Sequence, residues 1–268
     1  MTDADPNADT PQAIVATGYD AIGDRYHAWS GARPSPVRAA MLELALATIP
    51  PGADIVELGC GNGLPMTAAL AADGRRITGY DISPGQVGRA RRNVPGATFH
   101  QGDVVTLDLP PASADAVVAF YVLTHVPRTA HAPLLSRIAR WLRPGGVLLA
   151  SFGVEDDPGT VEPDWLGVPM YFSQFSARVN RRLVAEAGLA VERAEVLVEP
   201  ADREEARFLW VLARRPMRSA TDGPDAHPAR PSTGAGPADH DPVPTGTQVA
   251  LGCQLASGFG IRERFVVP

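Results

Sequence analysis

The sequence predicts an α/β protein with a mostly parallel sheet that is covered by helices on both faces. Short apolar segments alternate with amphipathic segments from residue 53 to residue 152, and strands that alternate with helices pair in parallel. A glycine-rich turn stands between the first of these strands and its helix. With 268 residues, of which 45% are hydrophobic and 20% charged, the chain can bury a sizeable core.

Two helices are predicted before the alternating region. The first covers residues 12–30, where apolar and aromatic side chains recur at helical spacing. The second covers residues 35–49 and stops at the Pro-Pro-Gly sequence of residues 50–52. Residues 1–12 are acidic and polar, so we expect a disordered leader without a secretory signal.

The alternating region supplies most of the predicted sheet. Ser83 is a suitable N-cap, and Pro84 a suitable first residue, for the helix after the second strand. The predicted strands are 53–58, 76–80, 97–100, 114–120 and 147–152, and the predicted helices between them are 64–72, 84–93 and 129–142.

The end of the domain departs from this alternation. Residues 153–172 are predicted to form a long loop, first acidic and then aromatic, and loops of this length inside a domain are mostly functional or disordered. A helix over residues 173–187 ends at Gly188, a suitable C-cap. Two strands, 189–198 and 206–213, follow without a crossover helix and are therefore predicted to pair antiparallel.

The composition changes after Arg215. Seven glycines and seven prolines stand among residues 219–268, a proportion typical of disordered segments. We therefore expect a domain over residues 13–217, whose first part, 13–49, forms helices, and a disordered tail over residues 218–268.

Charge and composition exclude several classes of function. The net charge is -6 and all 24 basic residues are arginine, which excludes Schiff-base and P-loop lysine chemistry. The sequence has no stripe of basic residues, so no nucleic-acid partner is expected, and it has no run of 18 apolar residues, so no membrane span is expected.

The cysteines are informative about the compartment. Cys60 and Cys253 are too few for a disulfide scaffold, so we expect the protein to reside in the reducing cytoplasm. No metal is expected, because metal-ligand spacing is missing and the Asp156-Asp157 pair is typical of a solvated loop.

The strongest functional signal is the turn Glu57-Leu-Gly-Cys-Gly-Asn-Gly63, in which three glycines alternate between a strand and a helix. Glycine allows positive φ and a close approach of the backbone to a ligand. The spacing departs from the dinucleotide pattern G-x-G-x-x-G, because Leu64 takes the place of its third glycine. The turn also lacks the lysine of a P-loop, and Glu57 would repel a pyrophosphate. The predicted ligand is an adenosine derivative without phosphate.

Two aspartates follow the next two strands. Asp81 stands 22 residues after Gly59 and is either a turn residue or a carboxylate that accepts hydrogen bonds from a ribose diol; the glycine turn favours ribose. Asp103 either accepts the exocyclic amine of adenine, with Val104 against the ring, or is an ordinary turn residue. Ligands of open α/β sheets bind at the carboxyl ends of strands. Residues 120–127 stand at the end of the fourth predicted strand and therefore also belong to the predicted site.

Four motifs together resemble the class I S-adenosylmethionine-dependent methyltransferases, over residues 14–215. They are Glu57-Leu-Gly-Cys-Gly-Asn-Gly63, Tyr80-Asp81-Ile-Ser, Gly102-Asp103-Val and Trp141-Leu-Arg-Pro-Gly-Gly146. The resemblance implies a Rossmann-like, doubly wound, seven-stranded sheet, mostly parallel with an antiparallel last strand, beneath an N-terminal helical lid. It also implies S-adenosyl-L-methionine as cofactor, S-adenosyl-L-homocysteine as product and a small molecule as methyl acceptor.

The resemblance assigns roles to matching positions. The glycine turn would hold the methionine portion of the cofactor, Asp81 the ribose and Ile82 the adenine, while Phe120 and Tyr121 would face the methyl group. Glu57 replaces the aspartate of many members, a change of one methylene. The implied cofactor contacts, including two lid tyrosines, are Tyr19, Tyr26, Glu57, Gly59, Cys60, Gly61, Gly63, Asp81, Ile82, Asp103, Val104, Phe120 and Tyr121.

Methyl transfer is an in-line displacement, for which positioning in a dry pocket supplies most of the catalysis. His125 is the candidate base for an acceptor that must lose a proton, since a neutral imidazole titrates near working pH. Its alternative role is to cap the loop before Pro127. The aromatic part of the long loop either lines an acceptor pocket or only packs on the sheet; its residues are Trp165, Met170, Tyr171 and Phe172.

The accepting atom (O, N or C) and the oligomeric state do not follow from the sequence. Two other functions stay open. One is a non-catalytic, cofactor-binding protein of the same fold. The other is a protein methyltransferase that recruits its substrate through the tail.

Overall fold

Strands and helices alternate through the part of the chain that the structure describes. The structure is a computed structural model, and it describes residues 10–31, 35–199 and 205–217. The strands are β1 Asp54–Leu58, β2 Arg76–Asp81, β3 Thr98–Gln101, β4 Ala114–Ala119, β5 Leu142–Gly153, β6 Asp157–Trp165, β7 Val168–Gln174, β8 Ala190–Glu199 and β9 Ala206–Arg214. The α-helices are α1 Pro11–Ile22, α2 Asp24–Gly31, α3 Pro36–Thr48, α4 Met66–Leu70, α5 Pro84–Asn93, α6 Arg128–Trp141 and α7 Ala177–Glu186.

Seven of the strands form one mostly parallel sheet. Its order is β3-β2-β1-β4-β5-β9-β8, in which β9 runs antiparallel to both β5 and β8 and the other pairs are parallel. The chain winds outward in two directions from the β1–β4 pair, as in doubly wound folds. The predicted Rossmann-like sheet with an antiparallel last strand is therefore confirmed.

Apolar layers on both faces hold the helices to the sheet. Ile138 of α6 shares one cluster with Val117 of β4, and Ala45 of α3 shares the other with Val118. Because successive strand residues point to opposite faces, β4 is buried on both sides. The central strands thus form a firmly packed support for the residues at their ends.

The helix predicted over residues 12–30 is two helices. Gly23, with φ of 58°, ends α1 and donates its N–H to the Tyr19 carbonyl. Thr10 caps α1 by accepting from the Ala13 N–H, so residues 10–12 belong to this helix and its cap and not to the predicted leader. The remainder of that leader, and the predicted tail, lie outside the described residues.

The prediction of a long loop over residues 153–172 is wrong for most of its length. Strands β6 and β7 form a separate antiparallel hairpin there. Its turn residues, Leu166 and Gly167, have φ of 52° and 84°, and such left-handed values match the twist of the flanking strands. The sequence pattern hides the hairpin because Pro158 and Pro163 are unfavourable in strands and most of β6 is exposed.

Two helices are shorter than predicted. Helix α7 starts at Ala177, because residues 173 and 174 belong to β7. Helix α4 covers five residues of the predicted 64–72 and is followed by a 3₁₀ turn at Ala72–Gly74.

Within the described residues, no helix has the length and apolar character that crossing a membrane requires.

Candidate functional site

The glycine turn lies at the carboxyl end of β1, between the ends of β2 and β4. The N–H groups of Gly59 and Cys60 both donate to the Tyr80 carbonyl, at 2.8 and 3.1 Å, and tie the turn to β2. All three glycines of the turn have positive φ, between 54° and 80°. A Cβ on Gly59 would also come within 2.7 Å of Val122 Cβ. Glycine is therefore needed at residue 59 both for its backbone angle and for space.

Asp81 holds this turn from the end of β2. Its Oδ2 accepts from the Gly61 N–H at 2.8 Å and its Oδ1 from the Ser83 N–H at 2.9 Å. Burial raises the pKa of Asp81 to about 6, against the opposing effect of these two bonds. Each carboxylate oxygen can accept two hydrogens, so the buried side chain retains capacity for two further donors.

A cavity of about 90 Å³ lies over the turn, with Gln12, Val15 and Tyr19 of α1 among its lining residues. Most of the predicted cofactor contacts meet there. The predicted residues that line it are Tyr19, Tyr26, Gly59, Gly61, Asp81, Ile82, Asp103, Val104, Phe120, Tyr121 and His125. The volume is below the roughly 300–1,000 Å³ of most ligand pockets.

Asp103 makes the contact of a turn residue, and its predicted bond to adenine stays a prediction. Its Oδ1 accepts from the Val105 N–H at 2.8 Å, as in a turn, and the residue also lines the cavity.

Three predicted contacts lie behind the turn and do not line the cavity. Glu57 is 4% exposed and accepts from the Thr67 hydroxyl at 2.6 Å. Burial raises the pKa of Glu57 to about 7, Thr67 opposes the rise, and the charge of Asp81 adds to it. Cys60 lies against Gly79, and burial raises the pKa of its thiol. Gly63, the third of these residues, packs on α5. All three support the turn from the protein side.

Tyr121 follows β4 with a strained backbone. Its φ is 61°, a left-handed value that is rare for a bulky residue and often found at functional sites. Its N–H donates to Ser151 Oγ at 2.7 Å, and its hydroxyl donates to Glu199, at 2.9 and 3.0 Å from the two oxygens. These bonds direct the ring along the wall of the cavity.

His125 connects the lid helix to the hairpin. Its Nδ1 lies 2.9 Å from the Tyr171 carbonyl oxygen, and its Nε2 lies 2.9 Å from Tyr19 Oη. A carbonyl only accepts, so we assign the proton to Nδ1, and Tyr19 donates to Nε2. Desolvation lowers the pKa of His125 to about 4, against the bond to Tyr171. The imidazole is therefore neutral at neutral pH.

A second, larger cavity of about 670 Å³ adjoins the first. Tyr19, Tyr26, Tyr121 and His125 line both cavities and form the boundary between them. The remaining aromatic residues of its lining come from α2, the hairpin and β9; they are Trp29, Trp165, Phe172 and Phe208.

The four aromatic residues predicted for the acceptor pocket divide into two pairs. Trp165 and Phe172 line the larger cavity. Met170 is fully buried with its side chain against Gly18 of α1, and Tyr171 is 8% exposed and packs over Gly159. The first pair therefore lies in a cavity wall, where its contact with an acceptor stays a prediction, and the second pair packs within the protein.

Sequence reasoning missed a buried carboxylate, Glu199, in the lining of the larger cavity. Glu199 ends β8 and is 6% exposed. It accepts from the Ser35 hydroxyl at 2.7 Å and from Tyr121. Its position directly after the predicted strand 189–198 was the available signal, because β8 is parallel to β5 and ends at the same edge as the glycine turn.

In the described ranges, no group of three His, Cys, Asp or Glu side chains could hold a metal ion. Asp156 of the predicted acidic pair binds Arg128 at 2.6 Å, and Asp157 accepts from the Gly159 N–H at 2.9 Å. Asp156 is therefore paired with the start of α6, and Asp157 contacts the backbone of the hairpin.

Comparison with known proteins shows which family model and which fold the chain matches. Residues 55–146 match the family model described as a methyltransferase domain. A crystal structure of a SAM-dependent methyltransferase from Methanosarcina mazei has the same fold. Its TM-score is 0.58 at 17% identity, and the match covers 65% of this chain and 97% of that one.

Two curated relatives align beyond the glycine turn. Trans-aconitate 2-methyltransferase of Methylobacterium nodulans is 36% identical over 152 residues, which are 56% of this chain and 52% of the relative. The match thus spans about half the length of that protein. The 27-O-demethylrifamycin SV methyltransferase of Amycolatopsis mediterranei is 31% identical over 223 residues, covering 73% of this chain and 78% of the relative. With this coverage, and with the glycine turn and Asp81 joined at the end of the sheet, the chain belongs to the class I S-adenosylmethionine-dependent methyltransferase family, and its cofactor is S-adenosyl-L-methionine.

Proposed function

We propose that the protein transfers a methyl group from S-adenosylmethionine to an O, N or C atom of a small molecule. One observation carries the proposal: the two cavities meet at Tyr19, Tyr26, Tyr121 and His125. A donor in the smaller cavity and an acceptor in the larger one would face each other across this boundary. The names of the two relatives, which mention rifamycin and trans-aconitate, also support a small acceptor.

The residues around the smaller cavity fit the cofactor. Asp81 is a buried carboxylate with two remaining acceptor positions toward a cavity that it lines, which suits a ribose diol. Gly61 has open space where a Cβ would stand, so the backbone can approach the methionine portion closely. Ile82 and Val104 supply apolar surface for adenine. When bound, S-adenosylmethionine supplies an electrophilic methyl group on a positively charged sulfur.

Positioning and desolvation carry most of the catalysis in this proposal. An apolar, aromatic boundary excludes water and holds the accepting atom on the line of attack. His125 is neutral and its Nε2 lone pair is directed at Tyr19. An acceptor that must lose a proton would therefore pass it to the Tyr19 oxygen while Tyr19 passes its own proton to His125 Nε2. The low pKa of His125 places this contribution at about 10²-fold, the lower end of the range usual for general bases.

The cofactor half of the proposal is tested by calorimetric titration with S-adenosylmethionine and S-adenosylhomocysteine. Asp81→Ala removes two hydrogen bonds to a charged group, each worth about 1.5–3 kcal/mol, and we expect binding to weaken by about 100-fold or more. Asp108→Asn, an exposed carboxylate that pairs with Arg140, is the control and should bind as the unchanged protein does. Because Asp81 also holds the turn, the melting temperature of each variant is measured beside its affinity.

The acceptor half is tested by following S-adenosylhomocysteine formation over a panel that includes phenols, amines, carboxylates and polyketides. Turnover of a small molecule by a chain ending at residue 217 supports the proposal. Tight cofactor binding without turnover of any small acceptor would favour a non-catalytic protein. Turnover of a protein, lost when residues 218–268 are removed, would favour a protein methyltransferase.

A further inference from the structure

The larger cavity contains a buried carboxylate that the proposed chemistry does not use. Glu199 lies in its wall beside Phe208 and Ala206 and is 6% exposed. Methyl donation, ribose binding and the Tyr19–His125 pair all involve other residues. We therefore asked which ligand group this carboxylate would bind.

Glu199 has unused capacity to accept hydrogen bonds. A carboxylate offers about four acceptor positions. Ser35 donates one hydrogen to Oε2, and Tyr121 donates one hydrogen that both oxygens share. The only donor that reaches Oε1 among the described residues is thus the Tyr121 hydroxyl, which Oε1 shares with Oε2. No ion pair involves Glu199 among the residues that the structure describes.

The charge of the described lining is negative. Glu162 and Asp164, on the exposed strand β6, join Glu199 in the lining, and Arg38 is the one positive side chain among its described residues. Arg38 also donates to the Ser30 carbonyl at 3.3 Å. The negative side chains of this lining thus outnumber the positive one, so a cationic group on the ligand would be favoured here and a carboxylate opposed.

The aromatic walls favour the same kind of ligand. Trp29 and Trp165 lie 6.3 Å apart between ring centroids, and Trp165 and Phe172 lie 5.7 Å apart. The rings of each pair meet edge to face, at 66° and 78°, and give the cavity an apolar wall; aromatic rings also attract ammonium groups. The volume of about 670 Å³ falls within the range of pockets that take drug-sized ligands.

We infer that the methyl acceptor is an apolar molecule that carries an ammonium group, and that Glu199 binds this ammonium group. This rests on the proposed function, because it takes the larger cavity to be the acceptor site. Glu199 is a positioning and specificity residue: it holds one end of the acceptor, and Tyr121 connects it to the boundary where the methyl group passes. The inference excludes polycarboxylates as preferred acceptors.

The test compares three ligands that share an indole frame and differ in the charge of the side chain. Tryptamine is cationic, tryptophol is neutral and indole-3-propionate is anionic. Each is titrated by calorimetry into the complex of the protein with S-adenosylhomocysteine. Tryptamine should bind at least about tenfold more tightly than tryptophol, and indole-3-propionate should bind most weakly.

Glu199→Gln should remove the preference for tryptamine over tryptophol, because glutamine keeps an acceptor for Ser35 and Tyr121 but lacks the charge. Glu192→Gln is the matched control on the same strand; Glu192 pairs with Arg214 outside the cavity, and this variant should keep the preference.

The inference is overturned if the unchanged protein shows no preference for tryptamine, which includes failing to bind it, or if it prefers the acid. It is also overturned if Glu199→Gln, folded by its melting temperature, keeps the unchanged order. The titration with S-adenosylhomocysteine comes first, because it distinguishes a failure of the proposed cofactor site from a failure of the inference about Glu199. Its failure would refute the proposed cofactor site, whereas tight binding followed by the wrong ligand order would refute only the inference about Glu199.

Discussion

Replacing Glu57 with glutamine tests whether the carboxyl group beneath the glycine turn is held in an environment that opposes its charge. Glu57 is 4% exposed and accepts from the Thr67 hydroxyl at 2.6 Å. Burial raises its pKa from 4.5 to about 7, with a smaller contribution from the charge of Asp81. The folded protein therefore holds this proton more tightly than the unfolded chain does.

The sign and size of the effect follow from linkage. Where the folded state binds more protons, stability falls as pH rises. Each pH unit between 4.5 and about 7 costs about 1.4 kcal/mol, so the full loss is about 3 kcal/mol and is complete above pH 7. Glutamine has nearly the same shape, accepts from Thr67 and never ionises. Glu57→Gln should therefore escape this loss.

The assay is urea unfolding of both proteins without cofactor at pH 5 and at pH 8. The stability of Glu57→Gln relative to the unchanged protein should be about 2–3 kcal/mol greater at pH 8 than at pH 5. Glu195→Gln is the control, because Arg193 lowers the pKa of Glu195 and its titration falls below this window. An equal difference at the two pH values for Glu57→Gln would refute the reasoning about burial.

Three further predictions concern the turn, the helix packing and the boundary between the cavities. Gly59→Ala should lose more stability than Gly61→Ala in thermal melts. Both residues have positive φ, but of these two only residue 59 would also bring a Cβ against the Val122 side chain. Arg75→Met should lower the free energy of unfolding in urea by about 2–4 kcal/mol, since this buried side chain donates to the carbonyls that end α3. His125→Asn and Tyr19→Phe should each lower kcat by about 10²-fold for an acceptor that loses a proton. The part of kcat that depends on His125, taken as the difference between the unchanged enzyme and His125→Asn at each pH, should be lost only as pH approaches about 4, where His125 becomes charged; its loss near pH 6.5 would contradict the burial of the ring.

The sheet and the glycine turn could be predicted because their determinants are local. Each strand and helix between residues 53 and 152 has its own apolar period, and parallel strands joined by helices place all their carboxyl ends at one edge. The turn and Asp81 are separated by 22 residues and meet because β1 and β2 are neighbours. Their contact through the Gly61 N–H follows from this adjacency of the two strands.

The motif did not show which residues of the turn face the cavity and which are buried behind it. Glu57, Cys60 and Gly63 belong to the same seven-residue turn as Gly59 and Gly61. The packing of α4 and α5 against the back of the turn decides which of these residues turn inward. A motif gives the order of residues along the chain, whereas the side from which neighbours pack is a property of the folded protein.

The sequence alone determined the fold class, the antiparallel last strand, and the cofactor-binding end of the sheet, because local periodicity and turn chemistry specify them. Only the tertiary structure decided the acceptor side. The hairpin of β6 and β7 was hidden by its prolines and exposed residues, and Glu199 meets Ser35 across 164 positions of the chain. Contacts of such long separation depend on how the helices and the hairpin pack around the sheet, and no local pattern encodes that packing.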